Sequence, residues 1–391
     1  MELKRIKCSR FKGEENEWSI EGRPQKGEFG QWLEVNNINL IAGKNASGKS
    51  RTLDVIRHVA ALLSDSTRLS RLESLGYGTA EYELVFAEPE TEIQYFLTFK
   101  DGEILQEKII ENQQEKLNRA EGKLWYEEVK SHLEFEVDST ILAISKRDKK
   151  QHSFFEKLYD WGNEVDLYRF GSPLGKHTFL RKADIQPDLK DKHRHLNDDA
   201  QVTNIFIKAK DEFGKLFVND VIDDMRHISY DISSVDMEEI PYLPMIGYGL
   251  VAYELGLDHS VDQGEMSQGM FRVLSLIIQL NYVLLKRIPS CILIDDIGEG
   301  LDFERSQQLI ELILYKFKNS PTQVIMTTND RFVMNKVPLE YWQAIERIPK
   351  KSLFYNYQNS REIFEEYKYS GLSNFDFLAT GFYTTGLQTE E

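Results

Sequence analysis

Eight consecutive residues, Gly43, Lys44, Asn45, Ala46, Ser47, Gly48, Lys49 and Ser50, fit the spacing G-x-x-x-x-G-K-[ST]. Each fixed position answers a demand of polyphosphate chemistry. The glycines let the backbone curl until several N–H groups and a helix N-terminus face one anion. The lysine ammonium reaches the terminal phosphates, and the serine hydroxyl enters the shell of a magnesium ion. On this reading the eight residues, with Arg51 directly after them, form the nucleotide-binding loop, and Ser50 is also a metal ligand.

Two further groups have the chemistry to complete such a site. Ile292-Leu293-Ile294-Asp295-Asp296 is an apolar run that ends in two carboxylates, and an open α/β sheet gathers its ligand chemistry at the carboxyl ends of such strands. Asp295 suits the magnesium shell, and Asp296 suits the orientation of an attacking water. An apolar-Asp-Asp run is common by itself; the phosphate loop in the same chain gives it meaning. Ser267, Gln268 and Gly269 open the apolar segment Met270 to Leu285, where a helix N-terminus could receive a phosphate. Taken alone, this is an ordinary helix cap.

The elements that must hold these residues follow from periodicity. Ile38 to Ala42 reads as a buried strand entering the loop, and Leu53, Ile56, Ala60 and Leu63 predict a helix from Arg51 to Ser64. Cys291 to Ile294 and Gln323 to Thr328 read as buried strands, with a helix Ser306 to Phe317 between them. Strands alternating with helices imply a parallel sheet.

The middle of the chain changes character. From Ala80 to Val137 apolar residues alternate, as at Tyr82, Leu84 and Phe86, and Asp101-Gly102 is a hairpin turn signal. The stretch 148–199 is charged, carries histidines and breaks at Gly171-Ser172-Pro173, which predicts a mobile insertion. Asn204 to Arg226 is helical in period, with Gly214 a weak point. The expected division is 1–79 for the first part of the phosphate-loop domain, 80–145 for an antiparallel β insertion, 146–227 for a helical, charged insertion and 228–391 for the rest of that domain.

Composition narrows the function classes. The 391 residues are 41% hydrophobic and 29% charged, room for one large α/β domain with insertions or two ordinary domains. No run of apolar residues is long enough to span a membrane, and the N-terminus lacks a secretory pattern, so a cytoplasmic protein is expected. Cys8 and Cys291 lie in separate apolar runs and suggest neither a disulfide nor a metal site. A net charge of −16 disfavours DNA binding unless a local basic face, such as Lys146, Arg147, Lys149 and Lys150, supplies it. Asp191, His193, His195, Asp198 and Asp199 fit no compact ligand set.

Taken together, these motifs resemble the ABC-type ATPases, in the branch that holds structural-maintenance-of-chromosomes heads, RecF-like repair proteins and OLD-like AAA ATPases associated with defence. The Ser267-Gln268-Gly269 signature precedes the acidic strand as in that family; Gly300-Leu301-Asp302 resembles its D-loop and Val324 to Asn329 its switch strand. Arg10-Phe11-Lys12 resembles its opening strand, with Lys12 a nucleotide contact, and Gly371 to Leu378 resembles the ending of the OLD-like type. The resemblance covers residues 1–63 and roughly 228–391.

It implies an α/β fold of the ABC-type P-loop NTPase head, with ATP and Mg²⁺ as cofactors. It also implies a homodimer or higher oligomer in which the signature of one copy caps the phosphates held by another. A separate effector protein and a role in anti-phage defence are the expected context. A RecF-like repair ATPase and a non-hydrolysing scaffold are the alternatives. Two departures matter. Asp296 stands where the family has a glutamate, and Asn329 stands where it has a switch histidine, which leaves Asp296 and Asn329 as the catalytic candidates. Slow hydrolysis is expected, since an asparagine cannot carry a proton. No Q-loop glutamine is identifiable from sequence.

Overall fold

The computed structural model describes residues 1–12, 18–24, 31–180, 201–240 and 247–386. Five strands form the parallel centre of the sheet, the most apolar of them Cys291–Asp295 and Ile38–Ala42. Their order across it is Val165–Arg169, Cys291–Asp295, Gln323–Thr328, Ile38–Ala42 and Trp342–Ile348. Being parallel, they bring the ends of the acidic strand, the switch strand and the phosphate-loop strand to one edge.

Side chains on these strands divide strictly by face. Leu40, Ala42, Ile292 and Ile294 enter one core; Ile41, Cys291 and Leu293 enter the other. This is the period of two expected for strands buried on both sides. Helices Lys49–Leu63 and Ser153–Asn163 cover the second face. Helices Gln201–Phe213, Lys215–His227, Gln268–Lys286 and Phe303–Phe317 cover the first. Among the described residues, Gln268–Lys286 is the one helix long and apolar enough to cross a membrane, and it lies mostly buried in this core.

Beyond Trp342–Ile348 the sheet is mixed. Lys351–Asn356 pairs antiparallel with it and parallel with Ser19–Gly22, which in turn pairs antiparallel with Glu2–Ser9. From there an antiparallel meander runs from Ala80–Glu88 out to Ser131–Glu134. The alternation seen from Ala80 onward is therefore real, but its strands extend the same sheet as the parallel strands and form no layer of their own. Asp101 and Gly102 make the hairpin turn, both with positive φ (51° and 77°).

Two segments differ from the expectation. Residues 146–227 were expected as a helical, charged insertion, yet Val165–Arg169 is the edge strand beside the acidic strand, and Ser153–Asn163 packs on the phosphate-loop helix. A five-residue strand amid charged sequence leaves too little periodicity to read. The single helix expected over Asn204 to Arg226 breaks at Gly214 (φ 58°) into two. Asp191, His193, His195, Asp198 and Asp199 lie outside the described residues.

A small sheet of Ile232–Ile240, Gly247–Glu254 and Val261–Asp262 leads into the signature helix. At the other end, Ser373 and Asp376 form a capping box that opens the short helix Asn374–Ala379. Phe377 of that helix packs against Trp342, Phe364 and Tyr367. The ending Gly371 to Leu378 thus braces the end of the parallel sheet.

Candidate functional site

The phosphate loop leaves Ile38–Ala42 under tight steric control. A Cβ at Gly43 would stand 2.3 Å from Ile345 Cγ2, so only hydrogen fits there. Gly48 precedes the helix at φ 109°, and a Cβ on it would meet Ser352 Oγ and Trp18 Cζ2 at 3.0 Å. Ala46 adopts φ 60° without being glycine, a strain of about 1–2 kcal/mol that the surrounding contacts must hold. One such contact is the Arg347 Nη1 donation to the Ala46 carbonyl at 3.0 Å.

Lys49 is 6% exposed and folds back across the loop. Its ammonium donates to the carbonyls of Gly43 (2.9 Å) and Lys44 (3.1 Å). Burial pulls its pKa below the ordinary lysine value, against the opposing pull of Asp296 and Asp295. Next to it, Ser50 Oγ donates to Asp295 Oδ1 at 2.9 Å.

Asp295 is buried, and the same Oδ1 accepts a second hydroxyl, that of Thr327, at 2.7 Å. Thr327 Oγ1 in turn accepts from the Asp296 backbone N–H at 2.9 Å. Asp296 itself turns into the left-handed region, φ 55°, which lifts its carboxylate off the strand toward the cleft. Asn329 Nδ2 donates to Asp296 Oδ1 at 3.3 Å. Burial raises the Asp296 pKa above the ordinary aspartate value, and Asp295 and Glu299 add to the rise while Lys49 opposes it.

These groups border one cleft of about 520 Å³. Asn45, Ala46, Gly48, Lys49, Ser50 and Arg51 line it from the loop side, and Asp296 and Asn329 line it from the acidic and switch strands. Asn45 and Ala46 also line a neighbouring hollow of about 550 Å³, to which Lys44 and Ser47 belong. Ser50 and Asp295 offer hard oxygen donors side by side, as a magnesium ion shared with phosphates requires. Among the described residues no group of three or more His, Cys, Asp or Glu side chains could hold a metal without such help.

Trp18 and Arg347 line the cleft as well, and neither was identified from sequence. Trp18 donates its indole N–H to Ser352 Oγ (3.0 Å), which donates onward to the Ser47 carbonyl (2.8 Å). The Arg51 guanidinium lies 5.0 Å from the centre of the Trp18 ring. No spacing rule links residues so far apart in the chain; only the sheet order does.

Lys12 is placed elsewhere. With φ 73° its ammonium sits over the Tyr77 ring at 4.4 Å, and it does not line the cleft. The Phe11 ring stacks at 5.8 Å on His58 of the phosphate-loop helix. Burial, with help from Arg57, Arg169 and Lys12, pushes the His58 pKa down to about 4. The pattern Arg10-Phe11-Lys12 thus builds an aromatic floor under that helix.

Ser267, Gln268 and Gly269 also stand apart from the cleft. Ser267 caps its helix by accepting the Met270 N–H at 3.1 Å, Gln268 is the first helical residue, and Gly269 packs against Leu301 and Gly300 of the D-loop segment. On the same helix, Arg272 donates to the Glu299 carbonyl (2.8 Å) and to the Gly171 carbonyl (2.6 Å). It clips together the signature helix, the turn after the acidic strand and the turn after Val165–Arg169. That last turn, Arg169 to Ser172, holds no glutamine; Phe170 fills it and donates its N–H to the Asp295 carbonyl at 2.9 Å.

With this geometry in place, residues 38–335 match the sequence profile of the family described as "AAA domain, putative AbiEii toxin, Type IV TA system". The chain belongs to this family. The matched span holds the phosphate loop, the signature, both aspartates and Asn329, and leaves out Lys12, Trp18 and Arg347. No curated protein matches the chain by sequence.

Solved structures extend the comparison to the fold. An SMC head bound to the C-terminal winged-helix domain of ScpA is 15% identical; the match covers 90% of this chain and 97% of that one, with a TM-score of 0.53. An SMC head from Thermotoga maritima (17% identity, 90% and 98% covered, TM-score 0.45) is also similar. So is one with an extended coiled coil bound to the C-terminal domain of ScpA, derived from Pyrococcus furiosus (14%, 94% and 99%, 0.49). The first of these, with the family match, shows the fold of an ABC-class, SMC-like P-loop ATPase head.

Proposed function

We propose that this family member is an ATP-driven switch that binds ATP with Mg²⁺, associates head to tail with a second copy, hydrolyses slowly and controls a separate effector protein. The observation that carries the reading is the Asn329–Asp296 hydrogen bond at 3.3 Å beside the Lys49 loop. It sets a carboxylate one methylene shorter than the family's glutamate, and an amide that cannot carry a proton, where a water would be oriented.

In this reading the loop Gly43 to Ser50, with Arg51, holds the nucleotide, and Ser50 with Asp295 holds the magnesium ion. Ser267, Gln268 and Gly269 of a second copy close the site, since in their own chain they do not border the cleft. Defence against phage is the context that the family's description supports, because it names a toxin–antitoxin system. The charge of −16 weighs against a repair ATPase acting directly on DNA.

The test is a paired measurement of ATP turnover and sedimentation with and without ATP and Mg²⁺. Slow turnover with nucleotide-dependent association supports the switch. Association without any turnover would favour the scaffold alternative, and an ATP-indifferent monomer would overturn both.

A further inference from the structure

A second cleft, of about 550 Å³, lies at the far end of the phosphate-loop helix, away from the nucleotide site. Its walls are the turn after Leu63, the short helix Leu69–Ser74, the Asp101-Gly102 hairpin turn and residues 140–146. Three hydroxyls stand in the turn that closes the helix. Ser66 Oγ donates to the Ala61 carbonyl at 3.1 Å, and Ser64 Oγ donates to Ser66 Oγ at 3.0 Å. Thr67, which lines the cleft, is only 6% exposed, and its hydroxyl has no partner among the described residues. A buried hydroxyl left unpaired costs about 1–3 kcal/mol, so such a group calls for a partner from outside the chain.

The charge around that hydroxyl specifies the partner's sign. Asp65, Glu73, Asp101 and Glu103 line the cleft against two cations, Arg68 and Lys146. Glu73 Oε2 rests against Gly102, 2.6 Å from where a Cβ would stand, so the helix brings a carboxylate onto the hairpin turn. Below them the cleft is floored by buried Leu69 and Ile144. Carboxylates over an apolar floor suit a long cationic side chain, whose stem lies on the leucine and isoleucine while its head meets the acids.

The rim decides between a free amine and a protein. Ile141, which lines the cleft, is 39% exposed, and Leu105 and Leu75, neighbours in sequence of the lining residues Glu103 and Glu73, are exposed as well. A small amine would leave Ile141 uncovered, whereas a protein segment that extends past the rim would cover it. We infer that this cleft docks an arginine- or lysine-bearing segment of a partner protein, with Thr67, Glu73, Asp101 and Glu103 as its recognition groups. The inference stands apart from the nucleotide reading, because no residue in it borders the phosphate loop.

The probe is the capped peptide acetyl-Leu-Arg-Leu-Arg-Leu-amide, offered to the full chain and followed by amide hydrogen exchange and calorimetry. Protection confined to residues 62–73, 101–105 and 140–146 is expected. Asp101→Asn with Glu103→Gln should weaken binding roughly tenfold or more, and Thr67→Val should weaken it severalfold. The thermal midpoint of Thr67→Val should stay level or rise, which reports an intact fold, and Lys49→Ala should bind the peptide as the wild type does. Absence of protection, equal protection by the glutamate counterpart of the peptide, or unchanged affinity in these cleft variants would overturn the proposal. Equal protection by agmatine alone would also overturn it, by assigning the cleft to a free amine.

Discussion

The Thr327 hydroxyl donates to Asp295 Oδ1 at 2.7 Å, and that oxygen is the one that also takes the Ser50 hydroxyl at 2.9 Å. Switch strand, acidic strand and phosphate-loop helix therefore meet on a single carboxylate oxygen. Thr327 is more than a strand residue, because the same hydroxyl also receives the Asp296 N–H.

Thr327→Val keeps the shape and removes both contacts, leaving the part-buried Asp296 N–H unpaired. The expected loss of stability is about 1–3 kcal/mol, read in thermal unfolding. Magnesium-dependent ATP binding should weaken with it in a calorimetric titration. An unchanged melting point with unchanged affinity would show the tie to be incidental.

Lys49→Ala removes the buried ammonium that now spans the Gly43 and Lys44 carbonyls. ATP affinity should fall roughly 10- to 100-fold, the value of one or more charged hydrogen bonds to phosphate. Equal affinity in wild type and variant, measured by calorimetry, would remove the loop from the nucleotide site.

Asp296 offers a prediction in both rate and pH. Burial and Asp295 hold its carboxyl above the ordinary value of 3.8, so ionising it costs the folded state. Stability from this group is fully present below the ordinary aspartate pKa and is lost as pH rises through the raised one. Asp296→Asn should therefore melt higher than wild type at neutral pH, lose that advantage in acid, and turn over ATP more slowly. Asp296→Glu, with its longer reach, should turn over faster. A neutral-pH melting point for Asp296→Asn at or below wild type would contradict the sign.

Closure by a second copy is tested by mixing. Ser267→Arg puts a long cation at the signature, and Lys49→Ala breaks the loop. Each alone should lack ATP-dependent association, while the mixture retains one intact composite site and recovers part of the activity. No recovery in the mixture, with full activity in Ser267→Arg alone, would place closure within one chain.

How much of this could be read in the sequence depends on the range over which each signal acts. The phosphate loop, its helix and the acidic strand are written in contiguous residues, and the observed bounds Lys49–Leu63 and Cys291–Asp295 lie within two residues of those expected. Val165–Arg169 escaped because five residues of alternation inside a charged stretch carry little weight against their surroundings. Trp18 and Arg347 escaped for a different reason, since they reach the cleft only through sheet pairing between distant parts of the chain. Lys12 was assigned to the nucleotide by analogy of motif, and a positive φ directs it onto Tyr77.

The order of strands in the sheet also dictates the order in which the protein can come into being. Ile38–Ala42 is made long before its two neighbours, Gln323–Thr328 and Trp342–Ile348, leave the ribosome. Leu3 waits as long, for its N–H and carbonyl pair with the Gln323 side chain at 2.8 and 2.9 Å. Pairings so distant are slow to form and leave apolar strands unsatisfied meanwhile. A nascent chain halted before Gln323 carries the complete Gly43 to Ser50 motif but no sheet to stretch it across. Such truncated chains should neither retain nucleotide nor stay monodisperse, so the binding loop takes its shape only when strands made long after it arrive.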